Sequence, residues 1–121
     1  MSAAVVLAVG VLGGLGAIAR HLLASWFDRR AASAFPAGIL VVNLSGTLLA
    51  GLVAGIALAH DADLLLAGGL LGAYTTFSTW MLDSERLARS GRTALAATNV
   101  LGSLTLGLAA VWLGRLVGQS F

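Results

Sequence analysis

The chain has 121 residues, 59% hydrophobic and 10% charged, with a formal net charge of +2. Soluble domains carry about 25% charged residues, so a water-facing surface is excluded for most of the chain, and lipid is its expected solvent. There is no cysteine, which excludes disulfides, thiolate metal sites and a cysteine nucleophile. All seven basic residues are arginines at the ends of apolar stretches. That placement speaks of membrane topology rather than of a nucleic-acid partner.

Charged residues divide the chain into four apolar segments. The first covers residues 3–19 and stops at Arg20 and His21, although Leu22, Leu23 and Ala24 can prolong it with the arginine snorkelling or facing protein. The second follows Pro36 and covers residues 38–59; the third covers 64–82 and the fourth 93–114. A bilayer-crossing helix needs about 20 apolar residues. The spacing therefore predicts an all-α membrane protein with four transmembrane helices in a single domain, residues 1–121. No positive charge precedes the first segment and three similar ones follow, so it reads as a retained helix and not as a cleaved leader.

Arg29 and Arg30 follow the first segment, Arg86, Arg89 and Arg92 follow the third, and Arg115 stands alone on the other side. The positive-inside rule puts the connections after helices one and three in the cytoplasm and both termini outside.

Small residues recur four apart in helix one (Gly10, Gly14) and helix two (Gly51, Gly55), and at helical spacing in helix four (Ser103, Gly107, Ala110, Gly114). This pattern lets helices approach closely in lipid. In helix two, Asn43 shares a face with Thr47, Ala50 and Ala54, so its amide is expected to face protein.

Helix three carries the run Gly72-Ala73-Tyr74-Thr75-Thr76-Phe77-Ser78-Thr79-Trp80, with five hydroxyls among nine residues. Gly68, Gly69 and Gly72 weaken the helix, and the hydroxyls can bond freed backbone groups. A break near residues 72–76 is predicted. A break at the midplane frees carbonyls for a dehydrated cation and amides for an anion; the alternative is a glycine kink with back-bonding hydroxyls. Phe77 and Trp80 are three apart and share a face if the helix resumes. Their ring edges are partly positive and suit a small anion, although plain aromatic packing has the same spacing. In helix four, Asn99 and Ser103 are four apart, as a polar track or as interhelical glue. No Asp or Glu lies inside a segment, and neither histidine stands in a catalytic arrangement. An enzyme and a proton-coupled carrier are both disfavoured.

With these residues in view the chain resembles the Fluc (CrcB) fluoride channel family. The likeness runs along Gly13 to Arg20 in helix one, Pro36 to Gly46 in helix two and, most specifically, Thr75-Thr76-Phe77-Ser78-Thr79 in helix three. It implies a passive fluoride channel formed by an antiparallel dimer with two pathways along the subunit interface. It further implies a structural, non-transported sodium ion at the dimer centre, held by the carbonyls of Gly72 and Thr75. Asn43, Phe77, Ser78, Thr79, Trp80, Asn99 and Ser103 would line the fluoride pathway, and Arg20 would match the family's structural helix-one arginine. The location implied is the cell membrane.

Two positions depart from the family pattern. Trp80 stands where a second phenylalanine is common, and Ile39 where threonine is frequent. The arginine bias is also strong for a subunit that inserts both ways. It suggests one member of an antiparallel pair with a paralogous sister subunit. Two other classes remain at this stage, a small four-helix multidrug exporter and a non-transporting membrane assembly protein. The exporter needs an intramembrane carboxylate that the chain lacks.

Overall fold

Lipid offers a backbone no hydrogen-bonding partner, so a chain this apolar must satisfy its peptide groups internally. The computed structural model describes residues 1–121 and contains helices and turns, with no strand. In chain order these are α1 (Ala3–Ala31), α2 (Ala37–Ile56), the short α3 (His60–Asp63), a π-helical segment (Leu64–Leu71), the single turn α4 (Gly72–Tyr74), α5 (Ser78–Arg89) and α6 (Thr93–Gly118). Three of them, α1, α2 and α6, are long and apolar enough to cross a bilayer. The region of the third expected helix is assembled from α3, the π segment, α4 and α5.

Two elements outrun their apolar segments. The first apolar segment covers residues 3–19 and can be prolonged past Arg20 to Ala24, and α1 continues beyond that to Ala31, with Arg20 inside it. α5 continues past Leu82 to Arg89. Charge ends the lipid-embedded part of a helix and not the helix itself, and neither extension contains Gly or Pro to stop it. Arg29, Arg30, Arg86 and Arg89 therefore sit on last helical turns rather than in loops. At 29 residues α1 is about 43 Å long, more than the roughly 30 Å hydrocarbon core.

The closest pairing is α2 with α6, and it is built on glycine. A methyl group on Gly51 would land on the Val111 carbonyl, and one on Gly114 would land on the Leu48 carbonyl. Gly55 and Gly118 repeat the arrangement one turn further along. The two backbones touch, which supplies dispersion contact where lipid provides no hydrophobic drive. In α1 the tight contact is at Gly16, set against the Leu70 backbone, and Gly13 meets the Gly69 carbonyl at ordinary van der Waals distance, whereas Gly10 and Gly14 meet nothing in this chain. Small-residue spacing marks a face that can be approached, and the partner decides whether it is.

The start of α2 is capped from α1. The Asp28 carboxylate accepts a hydrogen bond from the Gly38 N–H at 2.8 Å, and Gly38 lies on the Ala24 backbone. Ala24, Ile39 and Val42 form a small core there, with Leu23, Tyr74 and Trp80 packed on it.

Candidate functional site

The interruption lies at residues 75–77. Thr75 turns extended at φ −79°, ψ 156°, and α5 begins at Ser78. Its amide and its hydroxyl both donate to the Leu71 carbonyl, at 3.0 and 3.1 Å. That ends the preceding turn in the back-bonding manner expected of threonine. Thr76 precedes the next helix, its hydroxyl accepting the Thr79 N–H at 3.3 Å.

Asn43 holds the gap open. Its amide nitrogen donates to the Thr76 carbonyl at 2.9 Å, and its amide oxygen accepts the Thr76 N–H at 2.8 Å. One side chain on α2 thus satisfies both backbone groups of a buried residue outside any helix. Two residues on, the Ser45 hydroxyl meets the Tyr74 hydroxyl at 2.8 Å. Gly46 leaves room for Tyr74 and Thr75 against α2.

Beside the break, between α2 and α6, runs an open-sided groove of about 340 Å³. Its polar lining is Asn43, Thr47, Thr75, Thr76 and Ser103, its rings are Phe77 and Trp80, and aliphatic side chains complete it. No ionisable residue lines it. Thr47 was noted in the sequence only as a face-mate of Asn43; it back-bonds to the Asn43 carbonyl at 2.8 Å. Phe77 is 70% exposed and stands edge-to-face with Trp80, ring centroids 5.6 Å apart at 87°.

Trp80 does not hang free. Its indole N–H donates to the Asn99 backbone carbonyl at 3.0 Å. The Asn99 side chain is 1% exposed and donates to the Ser84 hydroxyl at 2.9 Å, while that hydroxyl donates to the Trp80 carbonyl. This closed circuit ties α5 to α6. Asn99 therefore sits behind the groove wall, and only Ser103 of that pair reaches the groove. Ser103 donates to the Asn99 amide oxygen at 3.4 Å, long for such a bond.

Thr79 faces the opposite side of the break. It lines a second cavity of about 270 Å³ with Arg20, His21, Ser25, Asp28 and Asp83. Ser78 is exposed and lines neither cavity, its hydroxyl 3.4 Å from that of Thr76. Arg20 has no carboxylate within 4.0 Å; the ion pairs are Arg86–Asp83 and Arg89–Glu85. Asp83, beyond the apolar stretch that closes at Leu82, is held above the usual carboxylate range by burial; Arg86 opposes the shift and Asp28 adds to it. The carbonyls of Gly72 and Thr75 accept no hydrogen bond from backbone or side chain, whereas that of Thr76 is engaged by Asn43.

Comparison with known proteins extends this picture. The family described as CrcB-like protein, Camphor Resistance (CrcB), matches residues 7–115. A relative from Mycobacterium tuberculosis strain H37Rv, named Fluoride-specific ion channel FluC 2, is 44% identical over 119 residues, covering 98% of this chain and 94% of its own. Symbiobacterium thermophilum has two similar chains. Its Fluoride-specific ion channel FluC 1 is 44% identical (91% of this chain, 94% of that one), and its FluC 2 is 45% identical (85% and 88%).

Proposed function

This chain belongs to the CrcB family, and from that premise we propose that it is a fluoride channel through which the anion leaves the cytoplasm passively. It is a membrane-embedded channel protein and not an enzyme. The observation that carries the reading is the groove at the break, which offers neutral hydrogen-bond donors and partly positive ring edges but no fixed charge. A small, tightly hydrated anion needs its water replaced by N–H and O–H groups. Asn43 keeps a second amide hydrogen beyond the one given to Thr76, and the long Ser103 bond leaves that hydroxyl free to turn toward an ion. Phe77 can present its edge, and Trp80 holds it from behind. Asn99 supports the wall from behind through Trp80 and Ser84, and Ser78 and Thr79 continue the path toward the Arg20 cavity.

No carboxylate lies within the apolar segments, so proton coupling has no carrier here. The membrane potential drives an anion outward by about 2.3 kcal/mol per 100 mV. The groove is open along one side, which supports its closure by a second, antiparallel subunit. The two numbered relatives in one organism support a sister chain in that place. The arginine-rich ends of α1 and α5 support an orientation with those ends in the cytoplasm.

The free carbonyls of Gly72 and Thr75 fit the structural sodium ion expected for the family, since they are neutral oxygens and Gly72 is exposed on the subunit surface. When bound, sodium would supply a positive charge to these neutral oxygens.

The direct test is fluoride-electrode efflux from proteoliposomes, with chloride as control, for the chain alone and co-reconstituted with a sister chain encoded beside it. Fluoride efflux without chloride efflux in either preparation is the expected result. Absence of fluoride flux in both overturns the reading. Within an active assembly, Phe77→Ile is expected to slow fluoride efflux by at least about tenfold, a change of about 1.4 kcal/mol in the barrier, while subunit stability holds because the ring is mostly exposed. Unchanged efflux in an intact assembly removes Phe77 from the path.

A further inference from the structure

A third cavity lies at the arginine-rich end of the bundle, apart from the groove and bordering the Arg20 cavity at Asp83. It has a volume of about 430 Å³, and the connection after α1 (Ala34, Pro36) forms one wall. The end of α5 and the turn into α6 form the other, through Arg86, Leu87, Ser90 and Arg92. Leu87 is buried at its base.

The charges in this cavity are unevenly matched. Arg89, outside it, is committed to Glu85 at 2.9 Å. Arg86 meets the one carboxylate of the lining, Asp83, only at 3.9 Å, and its own side chain is 71% exposed. Arg92 has no carboxylate within 4.0 Å. The Ser90 hydroxyl donates to the Leu87 carbonyl at 3.0 Å, which leaves its oxygen able to accept but not to donate. Two guanidinium groups thus share less than one effective counter-charge. They stand beyond Leu82, where the apolar segment gives way to the charged ends of α1 and α5, and basic residues in such flanks are the ones that meet lipid headgroups. On the last turns of α1, Arg30 stacks over Trp26 at 4.6 Å, an amphipathic pair of the kind that sits at a membrane interface.

We propose that this cavity is a binding site for the phosphodiester headgroup of an anionic phospholipid, held by Arg86 and Arg92, with the acyl chains lying against the apolar surface beside it. Guanidinium forks match phosphate oxygens in geometry and charge, and basic pockets at the cytoplasmic face of membrane helices take such headgroups. The site serves this chain whatever ion it conducts, so its fate and that of the channel reading are separable.

The experiment titrates phosphatidylglycerol, and phosphatidylcholine in parallel, into the purified protein in neutral detergent, counting bound lipid by native mass spectrometry. The expected result is preferential retention of phosphatidylglycerol. It should weaken roughly fivefold in Arg92→Gln and about thirtyfold in the Arg86→Gln/Arg92→Gln double variant, from the ~1 kcal/mol that each basic group contributes near an anionic surface. Arg92→Lys should keep most of the preference, and Arg115→Gln at the other end should change nothing. Equal retention of the two lipids, or full retention by a folded double variant, overturns the proposal. Displacement of the lipid by millimolar inorganic phosphate alone assigns the site to free phosphate and overturns it as well.

Discussion

Asn43→Ala is expected to abolish fluoride efflux and to lower the unfolding temperature of the detergent-solubilised protein more than any other polar substitution in α2. The side chain forms both bonds to Thr76, at 2.9 and 2.8 Å, and Thr76 is buried. Truncation leaves an N–H and a C=O without partners. A buried orphan group costs about 1–3 kcal/mol, so a loss of several kcal/mol is expected from the pair. Asn43→Asp separates donor from acceptor. It still accepts the Thr76 N–H but sets a second oxygen against the Thr76 carbonyl. It should therefore unfold almost as readily as the alanine variant, and an anionic carboxylate in the groove should also repel fluoride. A thermal unfolding curve for Asn43→Ala that overlays the wild type would show that the break stands without the amide.

Gly114→Leu is expected to prevent assembly of the bundle, seen as loss of the monodisperse species in mild detergent. The added side chain would enter the backbone of α2 at Leu48 and Leu52. Overpacking a yielding core costs about 1–3 kcal/mol, but here the obstacle is a helix backbone, and relief requires α2 and α6 to separate. Gly114→Ala should already destabilise, since its single methyl meets the same carbonyl. Gly10→Ala is the contrasting case. Nothing lies within 4 Å of that position in the chain, so subunit stability should not change. A stable, wild-type-like Gly114→Leu protein would refute the glycine-mediated crossing.

Much of the site was legible because its residues are chemically out of place. An asparagine and a run of hydroxyls in apolar segments stand out against lipid, and each points to a polar partner. That the partner of Asn43 is the Thr76 backbone was not legible. The two are 33 positions apart, and no residue type at position 76 betrays a backbone contact. Asn99 shows the opposite case. Its spacing with Ser103 is that of a polar track or of interhelical glue, and its amide turns to Ser84 on α5 while Ser103 reaches the groove. Thr79 belongs to the same run as Phe77 but opens on the other side of the break, because the rotation introduced at residues 75–77 resets the phase of α5.

Taken by itself, the sequence determined the solvent, the number of apolar segments and the family. Composition and local pattern are sufficient for these because each depends on a residue and its near neighbours. The tertiary structure decided where helices end beyond their apolar stretches, which glycines carry a contact, which hydroxyls share the groove and which arginines are left without a carboxylate. Those depend on helix phase and on what stands opposite. In lipid the helices have no hydrophobic force to order them, so close backbone contact and a few polar bonds choose the neighbours.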